Sequence, residues 1–180
     1  MYSFRNDYSE GAHPKVLQAL ADTNLRQTVG YGMDPCCQAA ADTIRRLCAA
    51  PDAAVHFLVG GTQVNLVTID AFLQSYEAVV AAQTGHVSTH ETGAIEATGH
   101  KVCTVESPDG KLTPALVESV LAGHNGTEHM VLPRMVYISD TTEIGTVYTR
   151  AELAALRQCC DAHGLFLYLD GARLGSALPS

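Results

Sequence analysis

Two glycines and a threonine that follow an apolar run could bind a phosphate group. In the stretch HFLVGGTQVNLVTIDAFL, a predicted buried strand ends before Gly60 and Gly61, and Thr62 begins a predicted helix. Glycines let the backbone approach a ligand closely, and the first turn of a helix offers unpaired N–H groups and a positive dipole. The stretch lacks the Gly-Lys-Ser/Thr of a P-loop. A strand-to-helix turn in which Thr62 is only the N-cap remains the alternative.

An aspartate at the end of a second apolar run could bind a positively charged group. The run LFLYLDGARLG places Asp170 directly after five apolar residues. An ionised carboxylate that leaves a buried strand is costly unless it has a cationic or hydrogen-bonding partner, and a protonated pyridine nitrogen would be such a partner. The alternatives are an ion pair between Asp170 and Arg173, and an N-cap for a following helix.

Two histidines lie four residues apart in the stretch QTGHVSTHETGAIEATGHKV. On a helix, His86 and His90 would share one face, with Glu91 adjacent, which is the spacing of a metal-binding pair. The residues around them favour a helix only weakly and the sequence offers no third ligand, so we expect no metal. An imidazole can also lie flat on an aromatic ring, and we predict this role for His86. Exposed loop positions remain the alternative for both histidines.

Short polar residues follow another apolar run, in MVYISDTTEIGTVYTRAEL. Five of them lie between the predicted strand and the turn at Gly145: Ser139, Asp140, Thr141, Thr142 and Glu143. Side chains of this kind could orient the substituents of a ring-shaped ligand. Ordinary turn chemistry is the alternative.

Apolar runs alternate with helix-period segments along the chain, which indicates an α/β fold with a mostly parallel sheet. The predicted strands, each bounded by Gly, Pro or Asp, are 54–59, 78–82, 101–105, 135–139 and 165–169. The predicted helices are 14–21, 35–49, 62–74, 114–121 and 150–163, the last with Gly164 as its C-cap. Ligands of such sheets bind at the carboxyl ends of the strands, so we expect the polar residues described above at one edge.

The composition restricts the class of function. The chain has 180 residues, 47% of them hydrophobic, which is enough for a packed domain. A formal net charge of −8 argues against nucleic-acid binding. The six cysteines show no C-x-x-C spacing, and the first residues do not resemble a signal peptide, so we expect reduced thiols in the cytoplasm. No apolar run approaches the roughly 20 residues of a membrane span.

Five motifs, in this order, resemble those of the threonine aldolases and the related aromatic amino acid β-eliminating lyases. FRND (4–7) resembles the family's opening Arg-Ser-Asp pattern, GYGMDP (30–35) its YGxDP turn, and GGTQVNL (60–66) its phosphate-binding GTQAN. GHVSTHETGA (85–94) resembles the segment of the ring-stacking histidine, and LDGAR (169–173) the segment of the aspartate that binds the pyridine nitrogen. The resemblance implies pyridoxal 5'-phosphate and a three-layer αβα fold like that of aspartate aminotransferase.

The resemblance also implies which residues bind the cofactor. Gly61 and Thr62 would bind its phosphate through a backbone N–H group and a hydroxyl. His86 would stack on the pyridine ring, with His90 as the second choice. Asp170 would bind the ring nitrogen. His86 and Asp170 would also be the catalytic residues.

For the substrate, the resemblance implies that Arg173, with help from Asn6, binds the carboxylate. Tyr31 lies in a turn that resembles one approaching the site from a neighbouring subunit. The chain departs from the family pattern at Asn6, where serine is usual, and at Glu143, where many relatives carry a histidine near the substrate hydroxyl.

The resemblance divides the chain into an N-terminal segment, 1–12, and an incomplete large domain, 13–180. The family's Schiff-base lysine is expected beyond residue 180, because Lys15, Lys101 and Lys111 all lie outside the matching motifs. The 180-residue chain itself is therefore expected to be inactive.

The full-length protein is expected to be a carbon–carbon lyase that cleaves a threonine-like β-hydroxy-α-amino acid into glycine and an aldehyde. The resemblance implies a cytoplasmic homodimer or homotetramer that binds neither membrane nor nucleic acid. Two alternatives remain open. One is β-elimination from an amino acid on the same scaffold, and the other is a non-catalytic α/β domain that binds a phosphorylated ligand through Gly61 and Thr62.

Overall fold

The computed structural model describes Ser3 and residues 5–178, so Phe4 of the first motif lies outside the described residues. Within them, the strands are β1 (Glu77–Ala82), β2 (Lys101–Val105), β3 (Leu132–Ser139) and β4 (Phe166–Asp170). The helices are α1 (Pro14–Thr23), α2 (Pro35–Leu47), α3 (Gly61–Phe72), α4 (His86–Thr89), α5 (Ala94–Ala97), α6 (Pro114–Ala122), α7 (Arg150–His163) and α8 (Leu174–Ala177).

The four strands form one sheet in the order β2-β1-β3-β4, and every neighbouring pair is parallel. This confirms the predicted parallel sheet. Because the strands are parallel, their carboxyl ends lie at one edge. β1, β3 and β4 are neighbours, so the segments that follow them begin side by side at that edge.

Helices cover both faces of the sheet because its strands alternate apolar side chains between the two faces. Val80 and Val136 pack with Leu156 of α7 and Val117 of α6 in one buried cluster. The residues next to them on the strands pack on the other face with α3, α4 and α5, in the cluster of Ile69, Leu73, Val79, Ala81, Val87, Ile95, Met135 and Tyr137. The arrangement is the predicted three-layer αβα fold.

The helices begin and end where the sequence provides caps. α7 has a capping box, in which Thr149 and Glu152 each accept a hydrogen bond from the other's backbone N–H, and it ends at Gly164 with φ of 65°. Both of its predicted bounds are confirmed. α6 begins with Pro114 in its first turn, and the Thr113 side chain accepts a hydrogen bond from the backbone of Leu116.

The predicted strand at 54–59 is wrong, because this segment forms neither strand nor helix. Most of its residues are exposed, Val59 by 93%. A strand requires a hydrogen-bonding neighbour, and in the described sheet β1 to β4 pair only among themselves. An apolar run of six residues therefore did not identify a strand by itself.

The described residues fall into two compact units, Met1–Phe57 and Leu58–Ser180. The first contains α1 and α2, and the second contains the sheet with the remaining helices. The predicted boundary between 12 and 13 stays a prediction. Among the described residues, no helix combines the length and the apolar character that crossing a membrane requires.

Candidate functional site

The carboxyl edge of the sheet brings together residues that are far apart in the sequence. The segment after β1 leads to His86, the segment after β3 leads to Glu143, and Asp170 is the last residue of β4. The backbone N–H of His86 donates to Glu143 Oε1 at 2.9 Å. The same carboxylate oxygen accepts a hydrogen bond of 2.6 Å from Ser139 Oγ. Glu143 therefore fixes the start of α4 against the end of β3.

Asp170 is partly buried and its carboxylate is held by three donors. Oδ2 accepts from Tyr137 OH at 2.6 Å and from Asn65 Nδ2 at 3.1 Å. Oδ1 accepts from the backbone N–H of Ala172 at 3.0 Å. These three hydrogen bonds fix the orientation of the carboxylate. Asp170 is not the N-cap of α8, since Arg173 occupies that position.

A second buried carboxylate links His86 to Asp170. Glu91 is only 3% exposed, and its Oε1 lies 2.8 Å from His86 Nδ1 and 2.5 Å from Asn65 Nδ2. Because Asn65 Nδ2 also donates to Asp170, one amide group joins the two carboxylates. Asn65 is itself 2% exposed, and its Oδ1 accepts a 2.6 Å bond from Tyr168 OH. The result is a continuous path of hydrogen bonds from His86 through Glu91 and Asn65 to Asp170.

The two tyrosines of this network remain neutral donors. Burial, followed by the hydrogen bond to Asp170, raises the pKa of Tyr137 well above its usual range. Burial also raises the pKa of Tyr168 to about 12. At neutral pH both hydroxyls keep their protons, so Tyr137 orients Asp170 and Tyr168 orients Asn65.

His86 and His90 lie close together but differ in their surroundings. Their ring centroids are 5.6 Å apart, with 51° between the ring planes. His86 is bound by Glu91 and its side chain is 38% exposed, whereas His90 ends α4 as an exposed C-cap. The structure thus gives a fixed orientation to the histidine that the sequence favoured for stacking.

One cluster of three potential metal ligands exists among the described residues, and it includes neither His86 nor His90. It consists of Glu118, Cys159 and His163, whose ligand atoms lie within 4.8 Å of one another between α6 and α7. His163 Nε2 and Glu118 Oε1 are 3.8 Å apart, as in an ordinary surface ion pair.

The predicted phosphate segment begins α3. Gly60 is the N-cap and Gly61 the first helical residue, so Thr62 is not the N-cap that the alternative interpretation required. No side chain caps this helix, and a Cβ added at Gly60 or Gly61 would meet nothing within 4 Å. Asn65 lies one turn further along α3, so the first turn is about 6 Å along the axis from the residue that binds Asp170. Gly61 and Thr62 in this turn are exposed, and no side chain caps its N–H groups.

The predicted substrate residues have varied surroundings. Arg173 is partly buried and follows Asp170 closely at the same edge of the sheet. Asn6 belongs to the unit 1–57, where its Oδ1 accepts bonds from Tyr8 N at 3.2 Å and Ser9 Oγ at 2.6 Å. Tyr31, in the same unit, is fully exposed and has a positive φ of 62°. The assignment of all three to substrate binding stays a prediction.

Four members of the network have no role in the sequence analysis: Asn65, Glu91, Tyr137 and Tyr168. Asn65 lies within the GGTQVNL motif, where a polar residue on an otherwise apolar helix face was an available signal. The two tyrosines looked like ordinary core residues of their strands. Glu91 was noted only as a neighbour of His90.

Comparison with known proteins gives consistent matches. Residues 4–180 match the beta-eliminating lyase family. Low specificity L-threonine aldolase from a Pseudomonas species is 37% identical over 176 residues, which cover 97% of this chain and 50% of that protein. A solved structure of threonine aldolase from Leishmania major has a TM-score of 0.98 and 57% identity, covering 100% of this chain and 52% of that chain.

The fold extends to more distant proteins. An archaeal alanine:glyoxylate aminotransferase has a TM-score of 0.69 at 12% identity, covering 87% of this chain and 39% of that chain. The chain spans about half the length of the curated bacterial relatives it matches.

Proposed function

The chain belongs to the beta-eliminating lyase family, and we propose that the full-length protein cleaves a threonine-like β-hydroxy-α-amino acid into glycine and an aldehyde. The family and its fold neighbours imply pyridoxal 5'-phosphate as the cofactor. Relatives named threonine aldolase support a carbon–carbon lyase. The observation that carries the proposal is the path of hydrogen bonds that joins His86 to Asp170 at the carboxyl edge of the sheet.

The residues at this edge fit the cofactor. Asp170 presents a carboxylate whose orientation is set by three donors, as recognition of a protonated ring nitrogen requires. The uncapped first turn of α3 offers N–H groups at Gly61 and Thr62, which suit a phosphate. His86 has a partly exposed ring at the same edge. A cationic ring nitrogen, an aromatic face and a phosphate therefore each find a matching group.

When bound, the cofactor supplies an electron-accepting ring, which takes up the negative charge left on the substrate's Cα when the Cα–Cβ bond breaks. Asp170 would bind the protonated ring nitrogen and keep it cationic. His86 would stack on the ring and accept the proton of the substrate hydroxyl, directly or through a water molecule. Gly61 and Thr62 would hold the phosphate, and Arg173 would bind the substrate carboxylate.

The protein is proposed to act in the cytoplasm as a homodimer or homotetramer, with Tyr31 reaching the site of a neighbouring subunit. The full exposure of Tyr31 supports this assembly, because a large aromatic side chain gains most from burial at an interface.

One competing activity has a specific observation in its favour. The family that the chain matches is described by β-elimination rather than by aldol cleavage. The two reactions leave different products, since aldol cleavage yields glycine and an aldehyde, whereas β-elimination yields ammonia and a keto acid.

The test is a product analysis of the full-length protein loaded with pyridoxal phosphate. Threonine, allo-threonine and phenylserine are supplied separately, and glycine, aldehyde, ammonia and keto acid are quantified. Glycine and aldehyde released in equal amounts support the proposal. Ammonia with a keto acid would replace it by β-elimination, and a loaded protein that forms none of these products would favour a domain that only binds the cofactor.

A further inference from the structure

We propose that Glu91 is a positioning residue for His86, which holds the imidazole with a hydrogen on Nδ1 and thereby makes Nε2 the nitrogen that gains and loses a proton. The inference rests on the proposed function for its role in turnover. Its structural half, the fixed tautomer of His86, stands on the geometry of the site alone.

The contacts on Glu91 determine which atoms are donors. Glu91 Oε1 faces both His86 Nδ1 at 2.8 Å and Asn65 Nδ2 at 2.5 Å. Asn65 Nδ2 can only donate, so this carboxylate oxygen accepts from it, and we assign the same oxygen as the acceptor for His86 Nδ1. Nδ1 therefore carries a hydrogen when the imidazole is neutral, and it still carries one when the imidazole is protonated.

The other ring nitrogen of His86, Nε2, is available to gain and lose a proton. Among the described residues, nothing forms a hydrogen bond with His86 Nε2, and the side chain remains 38% exposed. A proton can enter or leave only at Nε2 if Nδ1 is permanently occupied. A carboxylate that fixes a histidine tautomer in this way orients the ring and stabilises the cation that forms when the ring accepts a proton.

Stability alone gives a poor account of a glutamate at position 91. Glu91 is 3% exposed, and its Oε2 is buried without a hydrogen-bond partner among the described residues. A buried carboxylate with an unsatisfied oxygen is costly, and an apolar or neutral residue of similar volume would be tolerated better. The position of Glu91 between His86 and the Asn65 amide that binds Asp170 accounts for the charge instead.

The test separates orientation from charge with two substitutions. Glu91→Gln keeps an oxygen that can accept from His86 Nδ1 but removes the negative charge, whereas Glu91→Ala removes both. Glu96→Gln is the matched control, because Glu96 is exposed on the neighbouring helix α5. The full-length protein is labelled with ¹⁵N-histidine, and the His86 signals are assigned by their loss in His86→Asn.

The first readout is the tautomer of His86 without cofactor, at a pH where the ring is neutral. We expect the hydrogen on Nδ1 in the wild type, in Glu91→Gln and in Glu96→Gln, and a mixture of both tautomers in Glu91→Ala. A hydrogen on Nε2 in the wild type would overturn the proposal. So would an unchanged Nδ1–H tautomer in a folded Glu91→Ala protein.

The second readout is turnover of the loaded enzyme. We expect Glu91→Ala to lower kcat about 100-fold and Glu91→Gln about tenfold, with KM changed less than about twofold. Equal losses in kcat and in folded protein across the variants would indicate a merely structural role and overturn the inference. If the wild type binds cofactor and cleaves no amino acid, the proposed function fails, while the tautomer measurement still decides the placement of the hydrogen.

Discussion

Asp170 leaves the sheet with three hydrogen bonds on its carboxylate, so the position of the carboxylate is defined. Tyr137 contributes the shortest of these bonds, and burial keeps its hydroxyl protonated. Against a pyridinium at about 4 Å, with an effective dielectric near 20, the attraction is about 4 kcal/mol before desolvation is subtracted. Asp170 is therefore the residue whose charge should matter most to the cofactor.

In the full-length protein, we expect Asp170→Asn to retain cofactor binding through Gly61 and Thr62 while cleavage falls by about 100-fold or more, because the shape is kept and the charge is lost. Absorbance titration measures the cofactor affinity, and steady-state kinetics measure kcat. Asp161→Asn, an exposed change on α7, is the control. Near-normal turnover of Asp170→Asn with cofactor bound would indicate that Asp170 forms an ion pair with Arg173 or stabilises the turn after β4 instead.

His86 and His90 make a second, paired prediction. In the full-length protein, we expect His86→Asn to weaken cofactor binding about tenfold, which corresponds to about 1.4 kcal/mol and lies within the range of an aromatic stacking contact, and to lower turnover as well. His90→Asn should have little effect, because His90 is an exposed C-cap residue. Cofactor dissociation constants measured by fluorescence decide between them. If His90→Asn proves the more damaging, the assignment is displaced by one turn.

At the level of single residues, the sequence predicted the polar residues that follow apolar runs better than the buried residues that form hydrogen bonds with them. Asp170 and His86 follow recognisable apolar runs, so their place at the edge could be predicted. Asn65 and Glu91 meet only after the chain has folded, since 26 residues separate them. No local pattern encodes a contact of that range.

Of the described glycines, Gly85, in the segment between β1 and α4, would bring an added Cβ nearest to another atom. A Cβ added at Gly85 would lie 3.0 Å from the carbonyl oxygen of Ala82, a backbone atom that cannot move aside. We expect Gly85→Ala to displace the start of α4, to lower the free energy of unfolding by about 1 kcal/mol and to reduce cofactor binding at His86. Gly175→Ala is the control, because a Cβ there meets nothing within 4 Å. Urea denaturation measures the effect, and equal or greater stability of Gly85→Ala would contradict it.

The start of α7 gives a prediction about pH. The hydrogen bond from Lys111, followed by those at Thr149, lowers the pKa of Glu152 to about 2, from the value of 4.5 that such a group has without these partners. A lowered pKa in the folded state means that the stabilisation is complete above about pH 4.5 and is lost as the pH falls towards 2.

We therefore expect Glu152→Gln to cost about 1 kcal/mol at neutral pH, a modest value because the side chain is 39% exposed. The difference from wild type should shrink as the pH falls from about 4.5 to 2. Denaturant midpoints measured across this range test it, with Glu106→Gln, an exposed change after β2, as the control. A difference that stays constant with pH would exclude the ionised carboxylate as its source.

Helices and strands could be predicted where the local sequence and the long-range contacts favour the same structure. The bounds of α7 follow from a capping box and a terminal glycine, which are both local. The run 54–59 has the composition of a strand, yet strand formation depends on a neighbour that no local pattern supplies. The same limit explains why the beginning of β3 at Leu132, ahead of the predicted 135, was missed, since its first pairing is with Glu77 of β1.

For the whole molecule, the order of the motifs along the chain predicted more than any single motif. Each motif alone allows an ordinary turn or cap, and their succession indicated the family that residues 4–180 match. The order of the motifs does not identify the substrate. The sequence departs from the family pattern at Glu143, and the structure uses this carboxylate to bind Ser139 and the backbone of His86.

The three lysines lie in different parts of the fold. Lys101 is the first residue of β2 and so lies at the amino edge of the sheet, opposite Asp170. Lys111 Nζ donates to Glu152 at 2.6 Å and is only 15% exposed. Lys15 belongs to α1 in the unit 1–57.

We therefore expect the 180-residue chain to form no stoichiometric covalent bond with pyridoxal phosphate at a single lysine. The amine of Lys111 is engaged by a carboxylate, and Lys101 begins β2 at the amino edge of the sheet, about 16 Å along a five-residue strand from the carboxyl edge where Asp170 lies. The chain is mixed with the cofactor, reduced with borohydride and analysed by intact mass and peptide mapping, beside a pyridoxal-phosphate enzyme of known lysine as positive control. Scattered, substoichiometric labelling fits the expectation, because exposed amines react weakly with any aldehyde. A full adduct at one lysine would place the cofactor elsewhere and contradict the roles proposed for Asp170 and Gly61.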